Sequence, residues 1–321
     1  MARASEHTNS IFQESWWLDA VAPGRWSAVE LRKNGKVYAR LPYCTSRKLG
    51  LNCIVQPCLT QTLGPWLAPS NDKPALRLGK EKEWLTELAA QLPSFDYFKQ
   101  NWHYSMQNWL PFHWLGFECS PRFTYVLEDL GDLERVWRGY HEKTQREIKK
   151  AQKSLEVCTD LGVDVLWKLV GQTFGRQDKD VPYTRDLVER LDAACTANDA
   201  RRMYFARDAQ GRVHAALYLV WDERSAYYLM SGSDPELRNS GALRLLVHEA
   251  IAFAATKTQR FDFEGSMIEP VERFCRNFGA VQKQYFTVSG YSRRMRLVQG
   301  LRDIFSGPIA KPKPPADDPP A

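Results

Sequence analysis

Between Ala200 and Gly290 the pattern of apolar and polar positions changes period several times, and each change predicts an element. The segment RRMYFARD is rich in β-formers and ends at the turn Ala209-Gln210-Gly211, after which RVHAALYLVW reads as its hairpin partner. A turn at Asp222-Glu223-Arg224 precedes a third strand, SAYYLMSG, and the polar, proline-containing stretch 233–240 reads as a loop. From Gly241 the period becomes helical. Leu243, Leu246, Val247, Ala250, Ile251 and Ala254 share one face, which predicts a helix from 242 to about 256. A short strand over 260–264, a helix over 271–277 opened by Pro270 and ended by Gly279, and a strand over 284–288 complete the run. The predicted order is three antiparallel strands, helix, strand, helix, strand.

Upstream, Tyr140, Thr144, Ile148, Ala151 and Leu155 form the packed stripe of a predicted helix over 140–155. Its polar side carries Lys143, Arg146, Lys149, Lys150 and Lys153, and most of these lysines read as a solvated face. Arg146 and Lys149, three apart, have a spacing suited to gripping a phosphate or carboxylate.

Composition bounds the function classes. The chain has 321 residues and a formal charge of +6, which suits anionic ligands without marking a nucleic-acid binder. There is no apolar window long enough to span a membrane, and the first thirty residues lack a signal-peptide stretch, so the cytoplasm is the expected address. Seven cysteines without a C-x-x-C pair read as reduced thiols, and no metal is expected. The six prolines of residues 307–321 predict a disordered tail. No G-x-S-x-G, Walker A or H-E-x-x-H motif occurs, which leaves hydrolase, ATPase and metalloprotease readings without support, and His248 reads as a surface histidine.

A strand that passes through a loop into a long helix aims the first backbone N–H groups of that helix at the loop, and such groups bind phosphate. Here the loop is Leu237-Arg238-Asn239-Ser240-Gly241-Ala242. It resembles the pyrophosphate signature of GNAT acyltransferases through Arg238 and Gly241, with Leu243 where a small residue belongs. The segments IFQESWWLDAV, LPFHWLGFECSPRFTYVL, TQREIKKAQK and RFDFEGSMIEPVERFCRNFGA together resemble the Fem-type members of the GNAT superfamily, from about Ile11 to Val288. These include aminoacyl transferases that build peptidoglycan interpeptide bridges. The nearest likeness is Phe261-Asp262-Phe263-Glu264-Gly265-Ser266 followed by Glu272-Arg273-Phe274 and Asn277-Phe278-Gly279.

The resemblance implies an α/β (α+β) fold of two tandem GNAT-like domains, each a mixed, mostly antiparallel sheet flanked by helices. The first would span 1–125, completed by 290–306, and the second 126–289 with the donor site. It implies transfer of an acyl or aminoacyl group to an amine of a sugar, nucleotide-linked or peptide acceptor. Acyl-coenzyme A is the favoured donor, on the partial pyrophosphate loop and the lack of room for a coiled-coil arm. Aminoacyl-tRNA is the alternative, and a non-catalytic scaffold of the same fold is a rival from another class. Arg238, Asn239, Ser240, Gly241 and Ala242 would hold the donor's phosphates, with Arg146, Lys149 and Lys150 matching the family's basic helix. Backbone N–H groups over 228–232 would stabilise the oxyanion, and Tyr228 would contact substrate.

Amide formation also needs a proton acceptor, and Asp262 and Glu264 near a strand end are the candidates, one expected to face inward and the other outward. Asp262 serves equally well as a hydrogen-bonding partner of the following loop. Lys283 lies where it could approach the acyl group, with nothing in the sequence to orient it. Eight of the eleven tryptophans precede residue 125. Most read as core, but the run from Trp102 to Trp114, with His103, Tyr104, Gln107, Asn108, Trp109 and His113, has the mixture of flat faces and polar groups that suits an acceptor wall.

Overall fold

The computed structural model describes residues 7–265 and 267–296. The expected disordered tail, most of the expected returning segment 290–306, and Ser266 lie outside the described residues.

The strands are β1 Trp26–Lys33, β2 Lys36–Lys48, β3 Leu51–Val55, β4 Trp66–Leu67, β5 Tyr97–Trp102, β6 Glu118–Leu127, β7 Leu155–Cys158, β8 Arg201–Asp208, β9 Val213–Trp221, β10 Ser225–Ser233, β11 Arg260–Asp262 and β12 Val281–Tyr291. They join into one sheet in the order β1-β2-β3-β5-β12-β6-β11-β10-β9-β8-β7, with β4 beside β2. The pairs β3–β5 and β10–β11 are parallel. The other pairs are antiparallel, so the fold is a mixed, mostly antiparallel α/β sheet.

The expected three antiparallel strands are β8, β9 and β10, and the helix after them runs Ala242–Ala254. Its apolar stripe packs on one face of the C-terminal half of the sheet, with Phe261, Phe263 and Phe278 in the same cluster. The opposite face of that half is covered by the helices Val163–Gly175 and Arg185–Ala197 and by Trp17 and Leu18 of the helix Ser15–Val21. The N-terminal half has its own core, where Leu85 and Leu88 of the helix Pro74–Ala90 meet Leu41, Phe98, Trp102 and Phe112.

Strand β12 pairs with β5 on one side and β6 on the other, and so stitches the two halves into one continuous sheet. Pairing at this range, with Gly290 opposite Phe98, is not coded by any local pattern.

Two predicted elements are shorter in the structure. The basic helix runs Glu142–Ala151 instead of 140–155, because the chain turns at Ser154, whose N–H bonds Ala151 O, and Leu155 begins β7. The strand expected over 260–264 ends at Asp262, because Glu264 and Gly265 take positive φ of 58° and 56°. His248 is half-buried and not on the open surface: its ring packs on Trp137 and Tyr140, and burial lowers its pKa.

Candidate active site

The parallel pair β10–β11 is in register only over Ser225–Tyr227 and Arg260–Asp262. β11 then stops while β10 runs on to Ser233, so the two strands part and leave a wedge. On its other side β10 shifts register against β9 between Tyr228 and Met230, a bulge that drops Leu229 from the ladder. Backbone N–H groups at such a bulge are free to point at a ligand.

Below the wedge, at the centre of the sheet, lies a narrow cavity with about 10 Å³ of enclosed room, opening into a mouth that brings the free space, solvent included, to about 310 Å³. Phe12, Gln61, Thr62, His103, Tyr104, Thr124, Tyr227, Asp262, Glu264 and Tyr285 line it. The N-terminal half supplies Gln61 and Thr62 from the loop after β3 and His103 and Tyr104 from the end of β5; β6, β10, β11 and β12 supply the sheet positions.

Both candidate carboxylates face this cavity, contrary to the expectation that one would point away. Residues two apart on extended chain share a face. The left-handed turn at Glu264 then keeps its side chain in the pocket, and Gly265 fixes the turn. A Cβ on Gly265 would lie 2.3 Å from Phe123 O and 2.4 Å from Thr124 Cα. A non-glycine residue at φ 58° stores backbone strain of about 1–3 kcal/mol, and such strain concentrates at functional sites.

Asp262 accepts from Thr124 Oγ1 at 2.5 Å and from Glu264 N at 2.8 Å, both on Oδ1, so it does hold the following loop as well as lining the pocket. Burial pushes its carboxyl up to about 6, against the opposing pull of those two bonds. Glu264 is buried, neither carboxylate oxygen has a hydrogen bond of good geometry, and burial together with the Asp262 charge raises its pKa well above the usual carboxylate range against a weaker opposing pull from the Gln61 side chain. A like-charged pair in a desolvated site holds one proton between its members near neutral pH.

A raised carboxyl pKa means that stability present in acid is lost as pH climbs through the folded-state value. Glu264→Gln should therefore match the wild-type Tm near pH 4 and exceed it by a few degrees at pH 8, as thermal melts at the two pH values would show.

The remaining candidates separate into two groups. Tyr104 lines the cavity, and burial raises its hydroxyl to about 12. Tyr228 lies at the bulge, where its hydroxyl is hydrogen-bonded to Ser231 and its ring packs near Phe274. Trp102, by contrast, is a core residue: it is fully buried edge-on to Phe112 and fills the space beside Gly64. Trp109 packs on His113 and Phe286, outside the cavity lining. Of the residues expected to form an acceptor wall, Tyr104 and His103 line the cavity and Trp102 and Trp109 do not, because β5 buries alternate side chains and ends where the pocket begins. Trp102→Ala should cost about 3–5 kcal/mol in a denaturant titration, as a core truncation does.

The expected phosphate loop is a 3-10 turn, Arg238–Ser240, followed by Gly241 at φ 77° and the first turn of the helix Ala242–Ala254. A Cβ on Gly241 would stand 2.9 Å from Glu147 O, so the glycine permits both the turn and the approach of the basic helix. Arg244 pairs with Glu147 at 2.9 Å across the same contact. Leu243 packs at the edge of the helix core, half-buried. Arg146, Lys149 and Lys150 are exposed and form no ion pair among the described residues; Lys149 lies over the Trp137 ring at 5.8 Å. Lys283 is held by Glu128 at 2.6 Å and does not line the cavity. At this glycine-permitted helix start the N–H of Ala242 donates to Ser240 Oγ at 3.4 Å. Among the described residues no cluster suited to a metal ion is found, and no helix is long and apolar enough to cross a membrane.

Sequence reasoning missed Gln61, Thr62, Phe12, Thr124 and Tyr285. Phe12 and Thr124 lie in segments that carry the family resemblance, but nothing local marks any of the five as pocket residues; the order of strands in the sheet and the packing of Phe12 on Tyr227 gather them. A polar residue inside an otherwise apolar strand, as Thr124 is in FTYVL, was the one available signal.

Residues 138–269 match the family described as acetyltransferase (GNAT) domain. No curated protein matches the chain. Among solved structures, FemX superposes with a TM-score of 0.66 at 13% identity, covering 92% of this chain and 96% of that one. A tandem GNAT protein from the clavulanic acid biosynthesis pathway gives 0.50 at 11% identity, over 84% of each chain. A conserved protein of unknown function from Bacteroides thetaiotaomicron gives 0.54 at 10% identity, over 85% and 89%. At these identities the likeness is one of fold, and it extends over both halves of the sheet. Residues 138–269 thus match a GNAT acetyltransferase domain, set in a mixed, mostly antiparallel fold similar over most of the chain to those of FemX and the tandem GNAT protein.

Proposed function

We propose that this protein is an aminoacyltransferase that moves an aminoacyl group from charged tRNA to an amine acceptor. The observation that carries the transferase reading is the buried Asp262–Glu264 pair facing a cavity directly under the parting of β10 and β11. In this reading residues 1–125 and 126–289 are two GNAT-like units sharing β12. The acceptor enters between them and the donor's phosphates lie over residues 238–242.

The chemistry follows from the pocket. An acceptor amine arrives as an ammonium, which the carboxylate pair attracts. Asp262, with a pKa near the working pH, takes one proton and leaves a nucleophilic amine. Nitrogen attacks the acyl carbon, and backbone N–H groups at the Tyr228–Met230 bulge stabilise the oxyanion. The ester C–O bond breaks as the amide forms, and the ribose oxygen leaves with a proton.

The sequence alone favours acyl-coenzyme A as the donor; two features favour tRNA instead. The fold likeness to FemX covers 92% of the chain, and the Fem-type family that the sequence resembles includes aminoacyl transferases. The helix Glu142–Ala151, which approaches Gly241 through Glu147, also carries Arg146, Lys149 and Lys150 exposed and without ion pairs among the described residues, more positive charge than one pyrophosphate needs.

Transfer of a radiolabelled aminoacyl group from charged tRNA to an amine, with none from labelled acetyl-coenzyme A, is the expected result. Transfer from acetyl-coenzyme A alone would overturn the donor assignment, and transfer from neither would overturn the function. Exchanging Arg146 and Lys149 for Glu should weaken tRNA binding and flatten its dependence on salt, with the log–log slope falling by roughly 0.7 per lost phosphate contact. An unchanged slope would remove that helix from the donor site.

A further inference from the structure

Glu264 accounts for two of the three unsatisfied buried side-chain atoms among the residues lining the cavity, and His103 carries the third. His103 ends the β5 segment and is buried. Its Nδ1 receives the backbone N–H of Ser105 at 3.2 Å and lies 2.8 Å from Ser105 Oγ. A backbone N–H can only donate, so Nδ1 carries the lone pair and the neutral ring holds its proton on Nε2. Burial, reinforced by the positive charges of Arg224 and Arg260, keeps the imidazole neutral, with its pKa down to about 3. Nε2 is therefore a permanent donor, and it is buried without a partner. Leaving such a group unmatched costs about 1–3 kcal/mol. The same cavity contains the two unmatched oxygens of Glu264, and Phe12, Tyr104, Tyr227 and Tyr285 supply apolar and π surface around them.

An orphan donor and an orphan acid facing one small space define a complementary ligand. The acid and the aromatic faces suit an ammonium. The donor requires an oxygen within a few bonds of it. A plain alkylammonium satisfies Glu264 and leaves the His103 proton buried against carbon, a penalty that discriminates between otherwise isosteric amines.

We propose that His103 is the specificity-determining residue of the acceptor pocket, donating from Nε2 to an oxygen carried close to the acceptor's amine, so that the acceptor is a hydroxyl- or carbonyl-bearing primary amine. The inference rests on the reading of this cavity as an acceptor site, and it is independent of the donor. Two acceptor classes share the chemistry: amino alcohols, including amino sugars, and α-amino carbonyl compounds.

The test uses the full chain with 2-aminoethanol, its isostere n-propylamine, and glycinamide, titrated while the ring nitrogens of ¹⁵N-labelled histidine are followed by NMR. 2-Aminoethanol or glycinamide should bind at least about tenfold more tightly than n-propylamine and shift the His103 Nε2–H resonance. The ratio between the two oxygen-bearing probes separates the hydroxyl from the carbonyl class. In His103→Phe the preference should collapse to within about twofold while n-propylamine binding is kept. Should that variant not fold, the isosteric comparison and the Nε2–H shift in the wild type still decide. Equal affinity for the isosteres, a preference that survives in His103→Phe, or no binding of any probe would overturn the proposal. Because no donor is present, a preference seen in a protein that transfers nothing would keep His103 as the residue that selects the ligand and overturn only its description as an acceptor, together with the transferase reading.

Discussion

Asp262→Asn should lower turnover by about 10²–10⁴-fold while leaving acceptor affinity within a few-fold of the wild type. Asparagine preserves the shape and can still accept from Thr124 Oγ1 and Glu264 N through its amide oxygen, so the fold is spared. What it removes is the group that takes the amine's proton. The pH profile separates this role from a structural one. Because the folded-state pKa of Asp262 is raised to about 6, the base is protonated and idle in acid and available above that value. The wild-type rate should climb with pH through a limb near 6, a limb that belongs to the Asp262–Glu264 pair as a unit. In Asp262→Asn the limb should vanish along with the rate. Turnover within a factor of two of the wild type, or a limb that persists, would exclude Asp262 as the base.

Gly265→Ala should disturb the folded state and the site together. Two costs combine there. The residue sits at φ 56°, and its new Cβ would meet Phe123 O at 2.3 Å and Thr124 Cα at 2.4 Å, both atoms of a central strand that cannot swing away. Relief requires β6 to move from the turn that presents Glu264, which loosens the sheet and displaces the carboxylate together. A loss of more than about 2 kcal/mol is expected in a urea titration, since left-handed strain alone accounts for 1–2 kcal/mol and overpacking adds a further 1–3. At Gly211, also at positive φ but with open space where its Cβ would go, the same substitution should cost only the left-handed strain. Equal destabilisation at the two sites would show that the contact with β6 contributes nothing.

The site was legible in the sequence to the extent that it is local. Asp262 and Glu264 stand two apart beside a predicted strand, and Gly241 precedes an amphipathic helix; period and turn chemistry are enough to find both. That the two carboxylates share a face follows from their spacing of two on extended chain, against the expectation that they would diverge; the left-handed turn that keeps Glu264 in the pocket was not legible, because the approach of β6 imposes it from outside. Trp102 and Trp109 show the opposite failure. Their composition suits a ligand wall, but burial depends on what packs above a strand, and Phe112 and Phe286 fill that space.

By itself the sequence determined the elements of the C-terminal half, the helical start beside Gly241, the basic face of the helix around Arg146 and Lys149, and the resemblance to Fem-type GNAT proteins. These are properties of near neighbours in the chain, set by periodicity and backbone preference over a few residues. Only the tertiary structure decided that β12 inserts between β5 and β6 and makes one sheet of two halves. That pairing brings Gln61 and His103 to Asp262 and Glu264, across 159 to 203 positions of chain. Contacts so distant in sequence leave no periodic trace, since each strand is amphipathic in the same way whichever neighbour it takes, and the pocket's chemistry exists only once the neighbour is chosen.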